Sequence, residues 1–341
     1  MKRNYTFDLL RIVLSIFVIG VHCFDHMGSE DYYLNTILPV LFMTADGAFY
    51  IISGYFNLEK EFNSASDIKK FYKNKIIYVL FPFLAFVFVW AVWDYAHTVE
   101  TFNFLELLDI YYKQIMNSAA NGHLWFMYPL FGMLLSTPFL SKMLHNMDEK
   151  ELKILWRIAI IFNVIVYIVC IDNGMDFRVS DWFLARWLIY YFAGYYYRHV
   201  ISKESTIKWA ILTIACFALT VLGLQGKLTF LDAFVYATDF QPLFTVACIG
   251  IILLFDKTIK IKNEKVGKVI VFLSTNTFFI YMYHMRGIEY IVRKLSIVNN
   301  NFGNWLLIVF GTFAVSLLAS IVTKLCMKPV QKFLDKVWVV K

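Results

Sequence analysis

Charge is scarce in this chain. Of 341 residues only 17% are Asp, Glu, Lys or Arg, too few to cover the exterior of a soluble domain of this size. Hydrophobic residues make up 60% of the chain, and mean hydropathy is +0.60. The five cysteines, Cys23, Cys170, Cys216, Cys248 and Cys326, are scattered without paired spacing, which argues against a disulfide framework and against a zinc site. Period-2 alternation is missing from the apolar runs, so they do not describe a transmembrane β-barrel. Internal repeats and mid-span Gly/Pro breaks are missing too, which weighs against a transporter built from related halves. The longest outer connection, about 97–122, is too short for an appended soluble domain. A single integral membrane domain over residues 1–341 is expected.

The chain does contain repeated apolar runs of about 18 to 25 residues. They predict an all-α polytopic membrane protein with about ten spans, at 7–25, 36–57, 76–96, 123–143, 154–171, 182–200, 207–224, 240–256, 269–288 and 303–325. With both termini inside, 24 of the 32 lysines and arginines fall in inner segments and five (Lys113, Arg178, Lys227, Arg293, Lys294) in outer ones. Arg11, Arg186 and Arg286 stay within spans. The net charge of +7 is then topology-setting lysine beside an anionic inner leaflet, not a nucleic-acid footprint. The first span is too long for a removable signal peptide and is expected to remain as an anchor. Segment 60–75 reads as a basic helix at the inner surface, and Phe104–Tyr112 as a helix at the outer one.

Arg11 and His22 bracket ten nearly all apolar residues of the first span. Eleven helical steps of about 100° bring both side chains to one face, about 16 Å apart along the axis. Ionisable groups are costly in lipid, so a matched pair on one face points to a protein-lined path. Alternating span direction converts position into depth. Arg11, Ser53, Tyr55, Ser274 and Asn276 fall in an inner layer, and His22, His123, Arg186 and His284 in an outer one. Asp46 falls near mid-membrane. Imidazole suits proton transfer near neutral pH, and three histidines share that outer level.

Duller readings stand beside these. His123, His284 and Arg186 suit snorkelling to headgroups, and Ser274 to Thr277 suit hydrogen bonds between helices. Gly54 suits close helix packing, and Arg11 suits a buried pair with Asp8.

Several segments together resemble the acyltransferase-3 family of integral membrane acyltransferases. Phe7-Asp8-Leu-Leu-Arg11, followed by ten residues and His22, is similar to that family's opening signature. Gly47-Ala-Phe49-Tyr50-Ile-Ile-Ser53-Gly54-Tyr55-Phe56 resembles its second-span segment. Phe71-Tyr-Lys73-Asn-Lys75 through Pro82 resembles its basic approach to span three. His123-Leu-Trp125-Phe126 is similar to its start of span four, and Thr277-Phe-Phe-Ile-Tyr281-Met-Tyr-His284 to its late Tyr–His element. Two positions depart from the pattern: Gly47 replaces an acid, with Asp46 beside it, and Met327-Lys328-Pro329 lacks the acid before Lys-Pro. A fused extracytoplasmic esterase-like domain, common among relatives, is not expected here.

The resemblance implies a bacterial cytoplasmic-membrane enzyme that takes an acyl group, usually acetyl from acetyl-CoA, to a carbohydrate hydroxyl on the outer side. It implies Arg11, Ser53, Tyr55, Lys75 and Asn276 for the acyl-CoA donor, and His22, His284 and His123 for the chemistry. Asp46, Trp125, Arg186 and Arg286 are then candidates for the carbohydrate acceptor. No metal is implied. Membrane lipids and other polysaccharide-biosynthesis proteins are the further expected partners. Direct transfer and transfer through an acyl-enzyme both remain open. A transporter or acyl-group translocator without chemistry would also use intramembrane Arg and His. So would a sensor or assembly partner of an export complex.

Overall fold

The computed structural model describes residues 3–27, 32–117, 122–162, 184, 187–224, 242–297 and 299–338. Within them every regular element is helical. The α-helices are α1 (Tyr5–Val21), α2 (Tyr32–Asn57), α3 (Ala65–Lys75), α4 (Phe81–Ala96), α5 (Phe104–Met116), α6 (Met127–His145), α7 (Glu149–Ile160), α8 (Trp187–His199), α9 (Thr206–Leu224), α10 (Pro242–Thr258), α11 (Glu264–Ser274), α12 (Thr277–Lys294) and α13 (Phe302–Val337). Short polar residues start several of them. The Asn4 side chain accepts from Thr6 N–H at the head of α1, and Ser64/Asp67 and Asp148/Glu151 form reciprocal capping boxes on α3 and α7.

Among the described residues, five stretches are long and apolar enough to cross a membrane: Thr36–Asn57, Ala65–Ala96, Gly122–His145, Thr206–Gly223 and Phe302–Val337. A sixth is the bent pair α11 and α12. The protein is therefore a multi-pass helical membrane protein. Helix α1, with 17 residues, is shorter than a full span, and so is α10, also with 17. Much of the expected span 154–171 lies outside the described residues.

The continuous span expected at 269–288 is instead two helices bent by 57° at Thr275–Asn276. The cause is local. Thr275 Oγ1 and Asn276 Nδ2 donate to the carbonyl of Phe272, and Thr277 Oγ1 donates to that of Ser274. Side chains thus compete for carbonyls that a continuous helix would use, and four polar residues in a row are enough to break it.

The chain divides into two compact units. The first comprises Met1–Lys60 and Leu140–Ser320. Its hub is α2, which packs against α8, α1 and α10, while α1 also packs on α11 and α12. Tyr50, Ile51, Tyr190 and Tyr191 are fully buried where α2 meets α8. That contact is as close as backbones allow. A Cβ on Gly54 would lie 1.8 Å from the Tyr191 carbonyl oxygen, and one on Gly194 2.1 Å from that of Ile51. Only glycine fits at either position, and the pair draws Tyr55 and the end of α8 together.

The second unit comprises Glu61–Phe139 and Ile321–Lys341. Helix α3 passes through a π turn at Ile76–Leu80 into α4. Pro82 has no N–H to give the carbonyl four residues back, and the helix widens just before it. Phe62, Phe71 and Leu134 form a small core, Lys73 pairs with Asp335 at 2.8 Å, and Tyr95 donates to Glu106 on α5 at 2.6 Å.

The interlocked glycines give a stability prediction. Gly54→Ala and Gly194→Ala should each destabilise by about 3 kcal/mol or more, since backbone atoms rather than flexible side chains must move. Gly132→Ala, with nothing within 4 Å of the added carbon, should be neutral or stabilising. Thermal unfolding in detergent distinguishes them, and equal behaviour of all three variants would refute the close contact.

Candidate active site

Two polar centres lie along α1 in the first unit. The first is built on Asp8, whose side chain is only 3% exposed. One carboxylate takes donors from three directions: Arg3 Nε at 2.7 Å, Arg11 Nη1 at 3.1 Å and Ser274 Oγ at 2.8 Å. Spacing of three residues brings Arg11 over Asp8 on one helix face, and the α11–α12 break brings Ser274 to the same point. A buried carboxylate needs this degree of satisfaction. The Arg11 guanidinium also lies 4.9 Å from the ring centre of Phe56, and 28% of its side chain remains exposed.

Around it the end of α2 is aromatic. Phe7 stacks on Tyr55 at 4.5 Å and meets Phe56 edge-on at 5.6 Å. Ser53 accepts from Asn57 Nδ2 at 3.2 Å. Asn276 is buried, giving its amide to Phe272 and accepting from Ser320 Oγ at 2.7 Å. Arg11, Ser53, Tyr55 and Asn276 all belong to this unit. Asn276 and Ser274 visibly hold the broken helix in place, so the interhelical hydrogen bonds among their expected roles are present.

The second centre is at the other end of α1. His22 caps the helix, is exposed, and lies 5.0 Å ring to ring from His284 of α12, which is fully buried. His284 Nδ1 faces the carbonyl of Tyr281. A carbonyl can only accept, so Nδ1 carries the proton, and in the neutral ring Nε2 presents a lone pair. An apolar cluster including Cys23, Phe42, Ile280 and Trp305 surrounds this end. Close by on α13, the hydroxyls of Thr312 and Ser316 are buried without a hydrogen-bond partner among the described residues. Ser316 Oγ lies 2.8 Å from where a Cβ of Gly287 would be, one turn beyond His284.

Ser15 and Val18 lie between the two centres on the face that Arg11 and His22 share, and both are buried. Ser15 donates to the carbonyl of Arg11 at 2.9 Å. Packed side chains therefore separate the guanidinium from the imidazole in this state.

The remaining candidates fall elsewhere. His123 and Trp125 lie in a 3-10 segment, Gly122–Phe126, of the second unit, and Lys75, at the end of α3 in that unit, has its ammonium 5.2 Å over Phe71. Asp46 is partly buried midway along α2, and Arg286 pairs with Glu289 at 3.2 Å. Arg186 lies outside the described residues. No three His, Cys, Asp or Glu side chains converge as metal ligands among the described residues. Sequence reasoning named Tyr55 but missed the residues clustered about it, Glu59, Tyr197, Arg198 and Asp256. Their only signal was a Tyr-Tyr-Tyr-Arg-His run ending α8. It also missed Thr312, Ser316 and Ser320, whose four-residue spacing marks one polar stripe on α13.

The family model described as an acyltransferase domain, that of the acyltransferase-3 family, matches residues 4–322. No curated protein and no solved structure matches the chain.

The shared carboxylate makes the next prediction. Asp8→Asn removes the charge that holds Arg3 and Arg11 and should cost about 1.5–3 kcal/mol, whereas Ser274→Ala should cost about 1 kcal/mol. Thermal unfolding of the single and double variants measures this. Strictly additive losses would show that Ser274 and Asp8 act independently.

Proposed function

The chain belongs to the acyltransferase-3 family and is an acyltransferase, and from that premise we propose that it moves an acetyl group from cytoplasmic acetyl-CoA to a carbohydrate hydroxyl at the outer membrane surface. The acceptor is a cell-surface polysaccharide or its lipid-linked precursor. Ten spans with both termini inside, in a bacterial plasma membrane, put the Asp8–Arg11 centre at the cytoplasmic end of α1 and His22–His284 at the opposite end. One observation carries the reading: α1 bears at one end a guanidinium fixed by a buried carboxylate, and at the other an imidazole facing a second imidazole.

Each centre has its chemistry. Arg11 offers a planar, permanently charged fork to a CoA phosphate, beside the aromatic rings of Tyr55 and Phe56. Ser53 and Asn276 belong to the same unit. At the far end His22 takes the proton of the acceptor hydroxyl as its oxygen bonds to the thioester carbonyl carbon. The carbon–sulfur bond then breaks, and the imidazolium returns the proton to the departing CoA thiolate. His284, its tautomer fixed by Tyr281, orients His22. Asp46, Arg186 and Arg286 are assigned to the acceptor. The thioester arm has to pass Ser15 and Val18, so side chains at that level move during transfer.

Transfer of labelled acetyl from acetyl-CoA by the purified protein in lipid tests this. Arg11→Ala and His22→Ala should each reduce transfer at least a hundredfold with unchanged protein abundance. His284→Asn, which retains a donor towards Tyr281, should lose less than His284→Ala. Wild-type rates in His22→Ala would falsify the catalytic assignment, and labelled acetyl crossing the membrane without any transfer would favour a translocator.

A further inference from the structure

The last third of α13 takes no part in the site described above. With 36 residues the helix is about 54 Å long, against about 30 Å for a hydrocarbon core and about 40–45 Å for a bilayer with its headgroups. Its final turns therefore reach the headgroup layer or pass just beyond it. They belong to the second unit, where they are tied to the end of α3 and the π turn after it. Lys73 Nζ meets Asp335 Oδ1 at 2.8 Å, Tyr78 donates to Asp335 Oδ2 at 3.3 Å, and Gln331 donates to the carbonyl of Ile77 at 3.3 Å.

Helical spacing sorts this segment into three strips. Gln331 and Asp335 form the edge that meets α3 and its turn. Lys328, Lys332 and Lys336 form the next strip, spread over about 80° of arc and all exposed. Val330, Phe333 and Val337 form the third, within about 60°, and they are 41%, 64% and 64% exposed. On α3, Lys69 and Lys70 lie within about 60° of Lys73 and are exposed, while Phe71 on the far side is buried with Phe62 and Leu134. Two basic strips thus flank the Lys73–Asp335 pair. Residues 64–75 and 324–338 together hold eight lysines and two aspartates. Both acids are engaged, Asp335 by Lys73 and Asp67 by the capping box with Ser64.

We propose that this junction is a docking surface for anionic phospholipids of the inner leaflet. The lysines of both helices meet headgroup phosphates, and Val330, Phe333 and Val337 sink among the upper parts of the acyl chains. A strip this apolar beside a strip of lysine suits a layer that is oily on one side and charged on the other. Charge selects the occupant. A second copy of the chain would bring an equally basic strip against this one, and a neutral headgroup leaves the lysines without a counter-charge. The surface stands apart from the acyl-transfer chemistry, since no residue of either centre on α1 belongs to it.

Amide hydrogen exchange of the full chain in lipid nanodiscs tests the proposal, with phosphatidylcholine alone compared with an equal mixture of phosphatidylcholine and phosphatidylglycerol. Exchange over residues 326–338 should slow about tenfold in the anionic mixture, and added salt should reverse much of that slowing. Lys328→Gln, Lys332→Gln and Lys336→Gln together should remove the lipid difference while α1 and α2 exchange as in the wild type. Lys328→Arg, Lys332→Arg and Lys336→Arg together should keep it. Equal exchange of the wild-type segment in the two lipids overturns the proposal, and this comparison needs no variant to fold. A lipid difference that survives the three glutamines overturns it as well. Protection that requires two chains in one nanodisc, in neutral lipid as much as in anionic, identifies a second copy as the occupant and overturns it too.

Discussion

The buried carboxylate of Asp8 is the constraint on which the rest of this site depends. An unpaired charge there would be very costly, so its three donors are held as firmly as it is. One of them is Arg11, whose long side chain would otherwise sample many rotamers. Another is Ser274, the last residue of its own helix, which donates to Asp8. The acid therefore does two things: it aims a guanidinium at the end of α2, and it ties α1 to the break between α11 and α12.

That break is what makes two centres out of one bundle. Asn276 and Thr277 turn the chain, and α12 then runs on to place His284 against His22 at the far end of α1. Ser320 of α13 closes on Asn276, so a hydrogen bond between helices stabilises the bend. In an apolar surrounding such bonds lack competition from water, and the backbone groups freed by a kink find partners within the protein. Ser15 and Val18 fill the wall between the centres.

The glycine contact between α2 and α8 works differently, through shape alone. Close backbone approach at Gly54 and Gly194 places Tyr55 beneath Arg198. Side-chain chemistry at this end is thus set by two residues with no side chain. The same glycine stood in the sequence beside Ser53 and Tyr55 within a motif, where a packing role and a ligand role looked alike.

Hydropathy alone established the all-helical membrane class, because twenty apolar residues in a row have no other stable arrangement. Residue spacing alone established that Arg11 lies over Asp8 and shares a face with His22, since helical periodicity is local. The break at Thr275–Asn276 was written in a run of four polar residues but read as part of one span, because competition between side chain and backbone depends on which carbonyls are left open. Only the tertiary structure decided that Ser274 reaches Asp8, that His284 faces His22, and that Arg198 lies beside Tyr55. Each of those pairs is separated by more than a hundred residues, and no local rule of spacing carries a contact that helix packing alone creates.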